Sequence, residues 1–132
     1  MKKVVVIDGQ SGRMGQLFIE RAKALPCEIV AVGTNAIATA NMLKADPDEA
    51  ATGENAIVVC SRKADVICGP VGVVIADAMN GEVTPKAARA VGQADARRVL
   101  IPLNRCDTTV VGVRASMGEL AEEAAAAVFA RT

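Results

Sequence analysis

The pattern of hydrophobic residues at the start of the chain predicts a buried strand, a glycine turn and an amphipathic helix. Residues 4–7 are an unbroken run of β-branched residues, which is typical of a parallel strand buried on both faces. Gly9, Gly12 and Gly15 follow at G-x-x-G-x-x-G spacing, and apolar residues then recur at helical spacing to about Leu25. This order aims a helix N-terminus and its backbone N–H groups at one place, which favours an anion there.

Strand and helix patterns continue to alternate along the chain. They predict strands at 28–33, 65–69, 98–102 and 108–113, and helices at 35–44, 71–79, 85–91 and from Ser116 onward. Thr84-Pro85 and the capping box Ser116-Met117-Gly118-Glu119 mark two of the helix starts. The segment 50–63 is ambiguous, because Ile57-Val58-Val59 could be a strand, but its pattern favours a short helix.

This alternation predicts a Rossmann-like three-layer α/β sandwich with a mostly parallel sheet of about five strands. A length of 132 residues fits one domain, here 1–132. Only about five residues separate the strand at 98–102 from the strand at 108–113. A parallel crossover needs a dozen or more residues, so the last strand is expected to be antiparallel and at an edge.

Composition excludes several classes of protein. The 15 basic and 15 acidic residues cancel, and without a basic stripe nucleic-acid binding has no support. There is no histidine and no C-x-x-C, so a metal or redox motif is not indicated, and the four cysteines are expected to be reduced. Cys68 and Cys106 fall near strand ends, which leaves a reactive thiol as an alternative. No apolar run has signal-peptide or membrane-span character, and a cytoplasmic protein is expected.

The carboxyl ends of the parallel strands define the candidate site, because ligands of open α/β sheets bind there. The candidate ligand- or phosphate-binding residues are Asp8, Gly9, Gln10, Ser11, Gly12, Arg13, Met14, Gly15, Gly33, Thr34, Asn35, Gly69, Pro70, Asn104 and Arg105. Arg13 lies in the first helical turn, where a cation opposes the helix dipole unless it meets an anion. Such a crevice is expected to attract phosphate or carboxylate.

Each candidate also has a structural interpretation. The glycines could serve only a tight turn and close helix packing, and Thr34 or Asn35 could only cap a helix. Asn104 could bond its own turn, and Arg105 could be a solvated turn residue. Asp8 would repel a phosphate unless it holds Mg²⁺, binds a ligand hydroxyl, faces away, or bonds the N–H groups of the loop.

The apolar segment 71–79 carries one charge, Asp77. A surface helix normally has a polar face, so this predicted helix is either fully buried or the face of a homodimer, and the short chain favours the homodimer.

Two resemblances accompany these patterns. The run Gly12-Arg13-Met14-Gly15 resembles the cofactor loop of dihydrodipicolinate reductase, in which G-R-M-G follows the first strand and holds NAD(P)H. The resemblance covers about the first 25 residues and implies phosphate contacts at Gly9, Gly12, Arg13 and Gly15. It does not imply reductase activity. Gly33-Thr34-Asn35 lacks the acidic ribose-binding residue of that family, and its catalytic histidines have no counterpart.

Over nearly its whole length the chain also resembles a small bacterial family catalogued as a domain of unknown function. The supporting segments are 6–9, 33–39, 52–57 and 101–106. This resemblance implies domain boundaries and no activity.

The sequence leaves three hypotheses. The first is a homodimeric protein that binds a nucleotide or another phosphorylated metabolite through the glycine loop, with Mg²⁺ at Asp8 as an option. The second is a homo-oligomeric interaction or regulatory protein without small-molecule chemistry. The third is an enzyme that uses Asp8 or Glu54 as a base, with Arg105 orienting an anion, or that uses a cysteine as nucleophile.

Overall fold

Parallel strands joined by helices form the fold. The computed structural model describes residues 1–103 and 108–130. In chain order the elements are β1 (Lys2–Asp8), α1 (Arg13–Ala22), β2 (Cys27–Gly33), α2 (Ala36–Leu43), β3 (Glu49–Thr52), α3 (Glu54–Lys63), β4 (Val66–Pro70), a 3₁₀ helix (Val71–Val74), α4 (Pro85–Gly92), β5 (Arg97–Ile101) and α5 (Met117–Ala127).

β1 is the central strand of the sheet, as the apolar run Val4–Ile7 predicts. The strand order is β3-β2-β1-β4-β5, and every neighbouring pair is parallel. Val4 pairs with Ile29 of β2 on one side and with Val66 of β4 on the other. After β1, the chain adds β2 and β3 on one side of the sheet and then adds β4 and β5 on the other side of β1. The order therefore reverses between β1 and β4.

Two helical layers cover the sheet, and the alternation of side chains along β1 assigns one face to each. Val4 and Val6 pack into a core with Phe18 of α1 and Ala121 of α5. Val5 and Ile7 point to the opposite face, where they join Ile57 of α3 and Val91 of α4. The side chains of Val4–Ile7 are at most 1% exposed, which explains why β1 has no polar position between Lys3 and Asp8. The three-layer α/β prediction is confirmed.

The prediction of an antiparallel edge strand at 108–113 is wrong. Within the described residues this segment contributes only an isolated bridge at Thr108, and residues 111–112 form a turn. Gly112 adopts a φ of +92°, which interrupts the alternating pattern that suggested a strand. The fifth strand is instead β3, a short and mostly exposed edge strand that the hydrophobic pattern did not reveal. The helix favoured within 50–63 is confirmed as α3.

The helix predicted at 71–79 is also wrong. A 3₁₀ helix covers Val71–Val74, and turns follow in which Asp77, Met79 and Asn80 have φ of 68°, 59° and 55°. β-branched residues dominate the first half of the segment and weaken its helix propensity, and Asn-Gly favours a turn after it. The segment 71–79 therefore offers no α-helical face, and it lines a cavity. The homodimer contact through 71–79 stays a prediction.

No helix in the described ranges is long and apolar enough to cross a membrane.

Candidate functional site

A cavity of about 370 Å³ lies at the carboxyl end of the sheet, where the strand order reverses. We call it the switch pocket. It is lined by the loops that follow β1, β4 and β5, together with the start of α5: Asp8, Gly9, Gln10, Ser11, Arg13, Met14, Pro70, Val71, Gly72, Ile75, Ala76, Asp77, Ala78, Met79, Asn80, Leu103, Thr108 and Met117. Parallel α/β sheets bind their ligands at this position. The cavity therefore lies where the sequence predicted a site.

The Asp8 carboxylate is bonded to the glycine loop. Its Oδ1 accepts a hydrogen bond from Gly9 N–H at 2.8 Å, and its Oδ2 accepts one from Gly15 N–H at 2.7 Å. Asp8 is 4% exposed, so these N–H groups and the positive end of α1 stabilise a buried charge. Of the four alternatives for Asp8, the structure shows the carboxylate bonded to loop N–H groups. In the described ranges, no group of three or more metal-ligating side chains comes together.

The three glycines of the loop have packing roles. Gly12 has a φ of +72°, and a Cβ there would lie 2.5 Å from the Ala38 carbonyl oxygen of α2. A Cβ on Gly15 would lie 2.5 Å from the Met42 sulfur and 3.1 Å from the Asp8 Cβ. The spacing lets α1 approach α2 and the end of β1 closely, so it is required even without a ligand.

Arg13 is the first residue of α1, and its exposed side chain lines the switch pocket. It makes no ion pair with any residue of the described ranges. Arg13 N–H makes only a long contact of 3.4 Å to Ser11 Oγ. A cation and a helix N-terminus therefore face the same cavity without an anionic partner among the described residues.

Glu82 is a functional candidate that sequence reasoning missed. Its Oε1 accepts hydrogen bonds from Gln10 N–H at 2.8 Å, Thr34 Oγ1 at 2.7 Å and Asn35 Nδ2 at 2.8 Å. Burial raises the pKa of Glu82, but the three hydrogen bonds together outweigh it, and the pKa is lowered overall. Glu82 thus joins the ends of β1 and β2 from a loop that follows β4.

The structure brings only part of the predicted site together. The predicted residues that line the switch pocket are Asp8, Gly9, Gln10, Ser11, Arg13, Met14 and Pro70. Those that do not line it are Gly12, Gly15, Gly33, Thr34, Asn35 and Gly69. Asn104 and Arg105 lie outside the described residues. Asn35 caps α2, because its side chain accepts a hydrogen bond from Ala38 N–H, and this was the alternative to ligand binding for Asn35.

The residues missed by the sequence prediction belong mainly to the segment 71–80. Because the segment after Pro70 was predicted to be a helix, the candidate residues at the carboxyl end of β4 stopped at Pro70. The signal that could have found them is Asn80-Gly81, a strong turn dipeptide that shortens any preceding helix.

Cys68 is not a candidate nucleophile. Its side chain is fully buried, and burial, reinforced by the nearby charge of Asp8, raises its pKa strongly. A buried neutral thiol is inert toward electrophiles. Cys106 lies outside the described residues.

The family model described as "Domain of unknown function (DUF3842)" matches residues 3–131. The chain belongs to this family. The match confirms the resemblance stated from the sequence segments, and it covers the described strands and helices of this DUF3842 protein except for Lys2, the first residue of β1. The resemblance of its glycine loop to dihydrodipicolinate reductase stays a prediction.

Comparison with curated proteins found no significant match for the DUF3842 chain. Among solved structures, the chain is similar to a dodecameric FMN-dependent UbiX-like decarboxylase from Escherichia coli O157:H7. The TM-score is 0.48 at 16% identity, over 96% of this chain and 75% of that chain. Similarity at this level does not indicate a shared cofactor, reaction or assembly.

Proposed function

We propose that this DUF3842 protein binds a phosphorylated metabolite of mononucleotide size or smaller in the switch pocket. The observation that carries the proposal is the position of Arg13. Its guanidinium lies on the first turn of α1, where it opposes the helix dipole, and it has no ion-pair partner in the described ranges. An anion in the pocket would meet the cation and the helix N-terminus together.

Backbone donors support the same location. Ser11 and Met14 line the switch pocket close to Arg13 in sequence, and neither backbone N–H has an acceptor among the described residues. Asp8 already uses Gly9 N–H and Gly15 N–H. The phosphate position is therefore proposed at 11–14, displaced from the Asp8 carboxylate that would repel it.

The walls and volume of the cavity favour a small organic body attached to that anion. Val71, Ile75, Met79, Leu103 and Met117 provide apolar surface. A volume of about 370 Å³ is at the small end of the range of ligand sites. A dinucleotide normally extends across both halves of such a sheet, and here Glu82 closes the side toward β2.

The test compares binding to the wild type, Arg13→Gln and Arg62→Gln by calorimetry and thermal unfolding. The panel contains FMN, ATP, GTP, NAD(H), NADP(H) and sugar phosphates. Arg62 is an exposed arginine on α3 outside the pocket lining, so its substitution is the matched control. A ligand present at about 100 times its dissociation constant stabilises the wild type by about 2.7 kcal/mol.

Arg13→Gln is expected to weaken binding by at least about tenfold, because a charge-assisted hydrogen bond is lost, while Arg62→Gln binds as the wild type does. If no compound on the panel stabilises the wild type, or if Arg13→Gln binds equally well, the proposal fails.

The homodimer and the cytoplasmic location stay predictions. Sedimentation of the purified chain tests the first, and fractionation of the source cells tests the second.

A further inference from the structure

Three donors from two separate segments of the chain converge on one carboxylate oxygen of Glu82. Gln10 N–H follows β1, and Thr34 and Asn35 follow β2. Glu82 is 72 residues from Gln10 and 47 from Asn35 in sequence, so the arrangement is tertiary rather than a local turn. The sequence predicts that Thr34 and Asn35 contact an anionic ligand, and in the structure both donate a hydrogen bond to a carboxylate. It is the chain's own side chain.

The surroundings of this oxygen are those of an oxyanion site. One backbone N–H, one hydroxyl and one amide NH₂ are aimed at it at 2.7–2.8 Å. These distances are typical of charge-assisted hydrogen bonds. Gly9 leaves room for the group, because a Cβ there would lie 2.6 Å from Thr34 Oγ1 and 3.0 Å from Glu82 Oε1.

The Glu82 carboxylate supplies the hydrogen bonds between its own segment, residues 76–82, and distant elements of the described chain, while Met79 of this segment packs against the core below. The backbone bonds of the segment are local: Asp77 N–H donates to Val83, Gly81 N–H to Asp77, and Glu82 N–H to Met79. Among the described residues, the hydrogen bonds that join 76–82 to elements outside 72–83 are the three made by Glu82. We call this segment the Glu82 loop. Its residues 76–80 also line the switch pocket.

We propose that Gln10 N–H, Thr34 and Asn35 form a second oxyanion subsite, next to the switch pocket, which the Glu82 carboxylate fills. A carboxylate or phosphate group that takes the place of Glu82 releases the Glu82 loop and joins the subsite to the switch pocket. The identity of the natural ligand of this subsite rests on the proposed function. The subsite itself is testable without that ligand.

The experiment is chemical rescue of Glu82→Ala by formate and by inorganic phosphate, with sodium chloride at equal ionic strength as the reference. The readouts are the unfolding midpoint and the ¹H–¹⁵N resonances of the Gln10 amide and the Asn35 side-chain amide. Asp48→Ala is the matched control, because Asp48 accepts one backbone N–H, that of Ile29, at 2.7 Å near the amino end of β2.

Glu82→Ala is expected to lower the midpoint, and its amide exchange at Gly81 and Val83 should be at least about tenfold faster than in the wild type. Formate or phosphate should restore the midpoint and move the Gln10 and Asn35 resonances toward their wild-type positions. A response to formate alone indicates a carboxylate subsite, and a response to phosphate indicates a phosphoryl subsite. The wild type and Asp48→Ala should show no such anion-specific gain.

The subsite proposal is overturned if neither anion stabilises Glu82→Ala more than it stabilises Asp48→Ala. Should Glu82→Ala not fold, Glu82→Gln preserves the shape of the side chain without its charge. In that variant the two anions should shift the Gln10 and Asn35 resonances at lower concentration than in the wild type, and equal concentrations would overturn the proposal. A failed metabolite panel does not affect these readouts, so the two proposals fail separately.

Discussion

Replacing Gly12 with alanine tests whether the glycine loop is required by packing between α1 and α2. The backbone at Gly12 has a φ of +72°, in the left-handed region that alanine disfavours. The new Cβ would also lie 2.5 Å from the carbonyl oxygen and 2.8 Å from the Cα of Ala38. Both atoms belong to the backbone of α2, so a side-chain rotation cannot relieve the contact.

The two effects have separate magnitudes. The left-handed conformation costs an alanine about 1 kcal/mol, and forcing two packed helices apart costs roughly 1–3 kcal/mol. Gly12→Ala is therefore expected to lower the free energy of unfolding by about 3 kcal/mol. For a chain of this length, that corresponds to a fall of about 10 °C in the unfolding midpoint.

Two other glycines separate these effects. Gly112 has a φ of +92° but open space around its Cβ direction, so Gly112→Ala should lose only about 1 kcal/mol. Gly92 has open space and no left-handed φ, so Gly92→Ala should be neutral or slightly stabilising. Urea denaturation of the three variants gives the comparison. If Gly12→Ala is no less stable than Gly112→Ala, the close approach of α1 to α2 is refuted.

Other predictions follow from the buried and hydrogen-bonded groups. Asp8→Asn should lose about 2 kcal/mol in urea denaturation, because its amide NH₂ would face one of the two loop N–H groups; an unchanged midpoint would contradict this. The folded pKa of Glu82 is lowered, so its contribution to stability is present above the unfolded pKa of about 4.3 and is lost as the pH falls through the folded value. The stability difference between the wild type and Glu82→Gln should be constant near neutral pH and shrink as the pH falls below about 4.3, and a difference that stays constant in acid would count against the hydrogen bonds of Glu82. Cys68 should resist iodoacetamide in the native protein and react in urea, as peptide mass spectrometry can show; rapid native labelling would contradict its burial.

The sequence pattern predicted the centre of the fold because burial on both faces of the sheet requires consecutive apolar residues there. β1 is buried on both faces, so its run of apolar residues is unambiguous. Thr84, Pro85 and Ser116 mark helix starts that the structure confirms, since a cap uses only neighbouring residues. A strand at the edge of the sheet is not buried in this way, so it does not require an apolar run. β3 has four residues, is mostly exposed and contains no large apolar side chain, so its sequence carries no strand signal.

The sequence could predict the location of the candidate site but not all of its residues and contacts. Ligands of parallel sheets bind at the carboxyl ends of the strands, and this rule located the loops after β1 and β4, which line the switch pocket. The rule could not show that Thr34 and Asn35, which follow β2, donate to Glu82. These residues are 48 and 47 positions from Glu82, and a contact over that distance leaves no periodic pattern in the sequence. The segment 71–80 was misread for a related reason. Its valines indicate burial, but burial against a cavity and burial in a helix interface give the same composition.

The most direct test of the account is a ¹H–¹⁵N NMR titration of the wild type with the tightest-binding compound of the metabolite panel. The account predicts that the amide resonances of Ser11, Arg13 and Met14 shift first and furthest, together with those of Ile75 and Asn80 across the switch pocket. Binding that leaves these resonances unmoved and shifts residues elsewhere on the surface would contradict it.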